Sequence, residues 1–506
     1  MSCVVSVVNG FGLSSSSSSS SFSTTTTTSI RRKRIQVQKR TLLTSLTNND
    51  EDNVFSITAL SAGNNDGGDN NDNTGTTPAT PTIPPATTVL VVGGSGRVGG
   101  STVRWLQELA GRTENNKLNI KIKVGGRTKK SFEQAKKRGV LPLEMNAEDD
   151  FIQLDWAEWN EEQIETAILS SSDSNNNIGL VVHTAGPFQG RTDPTLLRCC
   201  IKHNIHYVDV CDEYELAVTS KELFHDDAKQ LGITAVVSSG IWPGVSALMA
   251  ANAVEKLEEQ DENKNNENSN KADTIDFSFF TAGTGNAGPT IVSATFLLLA
   301  TPVLAYRNSK KVELEPWTEK RMINFGKSIQ EKSVWLLDNP DVPTTAVSLG
   351  SGSSGIPNVS SRFGTDPLPW NYLFGAMKAI PRSILYNREI MQNFALFSEP
   401  IIRVVDQMVG STNAMRVDVS NKDNTKTITS LIVHNDLEMA VGLATAAFAI
   451  EVLKSNNKNG DNDDDDEQQE QQQTIPSGVW YPAELPKQAR LNILEVVKEG
   501  TITYEV

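Results

Sequence analysis

From Thr87 onward, apolar residues fall in short runs at 88–93, 120–124, 151–154, 179–183, 206–210 and 233–237. Most of these runs are near-continuous in Val, Ile and Leu, the pattern of strands buried on both faces. Between them lie helix-compatible segments, 97–110, 128–138, 159–169, 193–203 and 213–231. Six strands alternating with helices predict an α/β fold with a Rossmann-type, doubly wound parallel sheet. After 272 the alternation stops. Strand-like stretches at 274–283, 311–317, 333–338, 413–420 and 427–434 mix with helical ones at 290–306, 369–380 and 437–454. That order predicts a second, α+β domain with a mixed sheet.

Polar segments punctuate this pattern. Residues 61–86 are a linker rich in Asn, Asp, Gly, Thr and Pro, and 171–177, 258–270 and 455–473 read as solvated insertions. The expected division is a transit segment over 1–60, the linker over 61–86 and a nucleotide-binding domain over 87–257. An insert follows at 258–271, then a substrate domain at 272–454 and an acidic loop at 455–476.

Charge alters the picture only once it is located. The chain of 506 residues carries a net −15, but 1–49 contribute +6, 50–80 contribute −6, 258–270 contribute −4 and 455–474 contribute −6. The remainder is nearly balanced and shows no basic stripe, which excludes a nucleic-acid partner. Cys3, Cys199, Cys200 and Cys211 have neither metal-ligand nor disulfide spacing. No apolar run reaches the ~18 residues needed to span a bilayer, so no integral membrane segment is expected. The first 49 residues are acid-free, Ser/Thr-rich and basic at Arg31-Arg32-Lys33-Arg34. Such a composition predicts import into the plastid stroma, with the mitochondrion as the alternative.

Candidate chemistry begins at Gly94-Ser95-Gly96-Arg97-Val98-Gly99, a G-x-G-x-x-G that closes one strand and opens a helix. Gly94 is expected to permit the tight turn, Gly96 to let a pyrophosphate approach, and Gly99 to let helix and strand pack closely. At the end of the second strand an NAD site needs an acid for the ribose hydroxyl. This chain has Gly-Arg127-Thr128-Lys129-Lys130 there, which favours the 2′-phosphate of NADP(H). Ala185, Gly186, Pro187 and Phe188, beyond the fourth strand, are expected near the nicotinamide half. His183 reads as a satisfied strand-end histidine. Ser293, Tyr306 and Lys310 have the spacing of a short-chain reductase trio, but Pro302 interrupts the helix that would present Tyr306. No catalytic residue and no metal ligand are assigned.

The segments "GGSGRVGG", "GGRT", "HTAGPF", "HYVDVCDE", "SSGIWPGVSAL", "TAGTGNAGPT", "SRFGTDPLPW" and "SGVWYP" together resemble the saccharopine dehydrogenase-like oxidoreductases, particularly a plastid and cyanobacterial group. The resemblance implies that Gly94, Gly96, Gly99, Arg127 and Ala185–Phe188 face NADP(H), and that Gly283, Gly285, Gly288 and Pro289 border the cleft. It also implies that residues 477–506 return as a helix onto the first domain. Asp212 stands where relatives usually have glycine. The resulting expectation is an NADP(H)-dependent oxidoreductase acting on a small-molecule substrate, apolar and lipid- or pigment-like. The alternatives are a non-catalytic NADP(H)-binding scaffold or redox sensor, and a saccharopine or imine reductase. A homodimer stays open.

Overall fold

The computed structural model describes residues 87–112, 118–170, 177–259, 271–285, 288–350, 355–456 and 475–506. The expected transit segment and linker, and nearly all of the three polar insertions, lie outside the described residues.

Chain order in the first domain is β1 (Thr87–Val92), α1 (Arg97–Arg112), β2 (Ile120–Gly126), α2 (Lys129–Lys137), β3 (Phe151–Gln153) and α3 (Glu161–Ser170). It continues with β4 (Ile178–His183), α4 (Thr195–Lys202), β5 (His206–Asp209), α5 (Tyr214–Gln230), β6 (Thr234–Val236) and α6 (Val245–Glu259). The strands pair in parallel in the order β6-β5-β4-β1-β2-β3. Strand order therefore reverses between β1 and β4, the place where open α/β sheets bind ligands at their carboxyl ends. β1 carries Val89, Leu90 and Val91 at zero exposure, so burial on both faces explains its unbroken apolar run.

The second half comprises β7 (Ala272–Ala282), α7 (Pro289–Leu298), β8 (Val303–Arg307), β9 (Lys310–Leu314), β10 (Arg321–Asn324), α8 (Gly326–Ile329), β11 (Glu331–Leu336) and α9 (Asp341–Ser348). Then come β12 (Asn358–Asp366), α10 (Leu368–Met377), α11 (Arg382–Leu385), α12 (Arg388–Val409), β13 (Asn413–Asn421), β14 (Thr427–His434) and α13 (Leu437–Asn456). The tail supplies β15 (Gly478–Trp480), α14 (Lys487–Val497) and β16 (Thr501–Glu505). The second sheet runs β10-β11-β12-β7-β13-β14-β16 with a β8–β9 hairpin on β12. It is mixed, because β12 and β7 are parallel while the other pairs are antiparallel.

Three features differ from the sequence expectation. The helix expected over 290–306 ends at Leu298, and Val303–Arg307 is a strand instead. Pro302 cannot continue a helix, and the β-branched and aromatic residues after it suit a ladder. The tail is not simply a helix on the first domain: β15 joins β6 in parallel and β16 joins β14 in antiparallel. One short segment thus adds a strand to each sheet. Finally, α13 packs across α1, and a Cβ on Gly442 would lie only 2.5 Å from the Ser101 Cβ. Two small residues let these helices close, so α13, though late in sequence, covers the first sheet. One continuous core consequently includes β1, β2, α6, α13 and one face of the second sheet.

Candidate functional site

The β1–α1 turn is built on Gly93 rather than Gly94. Gly93 has φ +84°, the left-handed region that an L side chain adopts only with strain, and a Cβ on it would lie 2.8 Å from the Ala185 Cα. Gly94 instead makes room for Val124 of β2, whose Cγ1 would lie 3.0 Å from a Cβ. Gly96 donates to the Gly93 carbonyl at 2.8 Å and is exposed at the mouth of the turn. Gly99 sits directly beneath, where a Cβ would come within 2.6 Å of Thr184 Oγ1 and 2.7 Å of the Gly94 Cα. The turn is therefore packed from three sides and open on one.

That open side fits a dinucleotide. The Ser95 hydroxyl is buried and without a partner among the described residues. Its Oγ lies 3.7 Å from where a Cβ on Gly126 would be, so it sits beside the end of β2. Arg127 is exposed at that end. Thr128 is engaged in the fold: its side chain caps α2, accepting from the Ser131 amide at 3.2 Å. Lys129 is paired with Glu148 across the surface. Of the basic cluster, Arg127 directly follows Gly126, the residue beside the Ser95 hydroxyl.

On the other side of the switch point, Ala185 touches Gly93, and Gly186 is exposed beside it with Pro187 half-buried. Phe188 does not face the cleft. Its ring is 2% exposed and packs 5.7 Å from Trp156 and 5.0 Å from His183, drawn inward by the apolar cluster around Cys211 and Leu216. Of the four residues expected here, Ala185 and Gly186 line the open side most directly. His183 is buried, with Nδ1 2.9 Å from the Tyr207 hydroxyl; burial, with Arg191 nearby, holds it neutral down to about pH 3.

The reductase-like trio is not assembled. Ser293 on α7 donates to Gln392, while Tyr306 and Lys310 sit on the strands of an edge hairpin.

Beyond β4 and β5, polar groups gather without full pairing. Gly190 donates to Glu213, and a Cβ on Gly190 would lie 3.8 Å from Arg388 Nη2 on α12. The Arg191 guanidinium lies 5.0 Å over the Trp156 ring and donates to the Ala157 carbonyl. Among the described residues no partner satisfies Arg388 Nη2, and the buried Gln189 amide lies against the Asp212 carboxyl. Burial pushes the Asp212 carboxyl up to about 6.

The second domain meets the nucleotide turn at Gly288, just beyond Gly283–Gly285. Gly283 and Gly285 take φ of +58° and +62°, and Asp406 fastens the bend by accepting from the Thr284 amide at 2.9 Å and its hydroxyl at 2.7 Å. Gly288 donates to Glu438 at 2.6 Å, and Glu438 is 3.4 Å from Arg97 of the G-x-G-x-x-G. Burial pushes the Glu438 carboxyl up to about 7, against the pull of Arg97. Glu438 was not anticipated from the sequence. Its signal was an acid at the head of the otherwise apolar helix 437–450.

Behind this bend lies a cavity of about 90 Å³ that opens to solvent. Its walls are chiefly Trp242, Phe296, Phe363, Trp370, Phe374 and Ile402, with threonines and Asp406 at its polar edge. Trp242 comes from the loop after β6, which inserts it against Phe279 at 4.9 Å. That loop is held by Asp341, which accepts from the Gly244 amide and the Ser246 hydroxyl. The nucleotide-binding half thereby supplies one wall of the apolar cavity.

Residues 89–236 match the family model described as the saccharopine dehydrogenase NADP-binding domain. That segment is a domain of the saccharopine dehydrogenase NADP-binding type. Its solved-structure likenesses include a homospermidine synthase from Legionella pneumophila in complex with NAD, 12% identical, with a TM-score of 0.50 over 83% of this chain and 90% of that one. They also include an apo saccharopine dehydrogenase (L-Glu forming) from Saccharomyces cerevisiae, 11% identical, with a TM-score of 0.49 over 83% and 99% of the two chains. No curated protein matches the sequence. At 12% identity the likeness to the synthase is one of fold, and the fold is a nicotinamide-cofactor-binding one with a second mixed sheet. No helix among the described residues is long and apolar enough to cross a membrane.

Proposed function

We propose that this protein is a saccharopine dehydrogenase-like, NADP(H)-dependent oxidoreductase acting on an apolar, lipid- or pigment-like carbonyl or alkene. The carrying observation is the largely apolar cavity of about 90 Å³, open at its mouth, which borders Gly283 and Thr284 just ahead of Gly288, whose amide donates to Glu438 beside Arg97. A pocket lined by aromatic side chains with a few polar groups at its edge is the ordinary setting for such a ligand. Arg127, with no acid beside it, would hold the 2′-phosphate, and Ser95 with the Gly93–Gly99 turn would hold the ribose and pyrophosphate. NADPH supplies the hydride when bound; the chain orients both reactants and excludes water from the cavity.

The composition of residues 1–49 supports a plastid location, and fusing residues 1–86 to a fluorescent protein tests it. The full chain should be stabilised by NADPH more than by NADH. It should also consume NADPH with apolar enones and aldehydes from plastid lipid extracts. Consumption with amino-acid imines alone would instead establish the second reading, an imine reductase. Arg191 and Arg388 beside Asp212 favour that reading, because they could recognise a carboxylate. Stabilisation by NADPH with no consumption by any extract would leave a binding protein.

A further inference from the structure

Helix α12 has two apolar faces. Met391, Ala395 and Ile402 are buried against the protein, and Ile402 with Asp406 walls the cavity. A second stripe, Ile390, Phe394, Phe397, Ile401, Val404 and Met408, is left 39% to 79% exposed. The steps along this stripe alternate between four and three residues, the spacing of a seam between two helices.

We propose that this stripe is the self-association surface of the protein, pairing α12 with α12 of a second copy about a two-fold axis. The stripe is palindromic in its spacing. An antiparallel copy centred at residue 399 sets Ile390 against Met408, Phe394 against Val404 and Phe397 against Ile401. Each aromatic ring then meets an aliphatic side chain, the alternation of large and smaller groups that lets facing rows interdigitate. Such an interface is isologous, so it closes with two copies and leaves no open end. Pro400 removes one helical hydrogen bond next to that centre, so any bend falls at the midpoint and both copies share it.

The area is sufficient. With roughly 150–250 Å² for each fully exposed aromatic and somewhat less for each aliphatic residue, the six side chains expose about 700 Å² per copy, against ~800 Å² per partner in a standard interface. Charge decides against a lipid surface as the occupant. α12 contains no lysine; Arg403 is paired with Asp406 at 3.0 Å, and Arg388 is set among Asp212 and Glu213. A helix lying on a membrane carries a basic polar face, and this one does not. Pairing would also fasten the outer side of the helix that walls the cavity.

Light scattering on the eluting full-length protein should give twice 55.1 kDa for the wild type and 55.1 kDa for Phe397→Glu. Stabilisation by NADPH should be unchanged in Phe397→Glu, and Phe397→Ser serves if the glutamate variant misfolds. An Ile390→Cys/Met408→Cys double variant should form a disulfide-linked dimer on oxidation that neither single variant forms. Cys199, Cys200 and Cys211 are buried, and Cys3 is common to every variant. A wild type that is monomeric at micromolar concentration overturns the proposal, as does a dimer that survives Phe397→Glu. So does a monomer that floats with phosphatidylcholine vesicles through Phe397.

Discussion

Replacing Glu438 with Gln should make the protein more stable at pH 8 while leaving it nearly unchanged at pH 5. Glu438 is 7% exposed, and burial lifts its carboxyl from 4.5 to about 7 even with Arg97 3.4 Å away. A folded-state value above the unfolded one means that the folded protein holds the proton more tightly. The associated stability is fully present below about pH 4.5 and is lost as pH rises through about 7. A difference of this size corresponds to about 3 kcal/mol. Gln keeps an oxygen that can accept from the Gly288 amide but has no charge to bury. For the roughly 420-residue body, about 3 kcal/mol is a melting shift of about 3–4 °C. The assay is thermal unfolding of both proteins between pH 5 and pH 8 without nucleotide. Asp338 and Asp341, pushed up to about 7 by burial, titrate in both proteins and cancel in the difference. Parallel melting curves across the range would refute the reasoning, and so would a variant less stable than wild type at pH 8. The second result would mean that the Arg97 pair outweighs the cost of burying the charge.

Arg127→Ala should weaken NADPH roughly 10–100-fold, the size of a lost charge-assisted contact of about 1.5–3 kcal/mol, while leaving NADH unchanged in titration calorimetry. Gly99→Ala should cost at least about 1–3 kcal/mol by overpacking, because its methyl group would meet Thr184 and Gly94 under 3 Å away. It should also abolish NADPH stabilisation in a thermal shift, and a normal shift would show that the turn can relax. Val292→Phe fills the cavity from α7. It should stop NADPH consumption with apolar substrates while the NADPH dissociation constant stays at the wild-type value; unchanged turnover would move the substrate elsewhere.

Much of the first domain is local in origin and so legible in sequence. A strand buried on both faces must be apolar throughout, and a turn that admits a phosphate must be poor in side chains. β1, β2, β4 and the glycine turn therefore announced themselves, as did the absence of an acid beside Arg127. Even there, tertiary packing decided the details. Gly93 rather than Gly94 takes the left-handed φ because Ala185 closes on it, and the Phe188 ring is drawn inward by Trp156 and His183. The second domain was less legible because its contacts are distant in sequence. Trp335 and Phe363, paired across β11 and β12, carry no mark of facing strands, and α12 was overlooked because its two apolar faces obscure a single amphipathic stripe. What sequence alone determined is a nucleotide-binding α/β sheet and a second mixed domain. Only the tertiary structure set Glu438 beside Arg97, 341 residues apart, and enclosed an apolar cavity with a tryptophan borrowed from the first domain. Pairings over such separations depend on the closure of both sheets around one core, and no local pattern of residues encodes them.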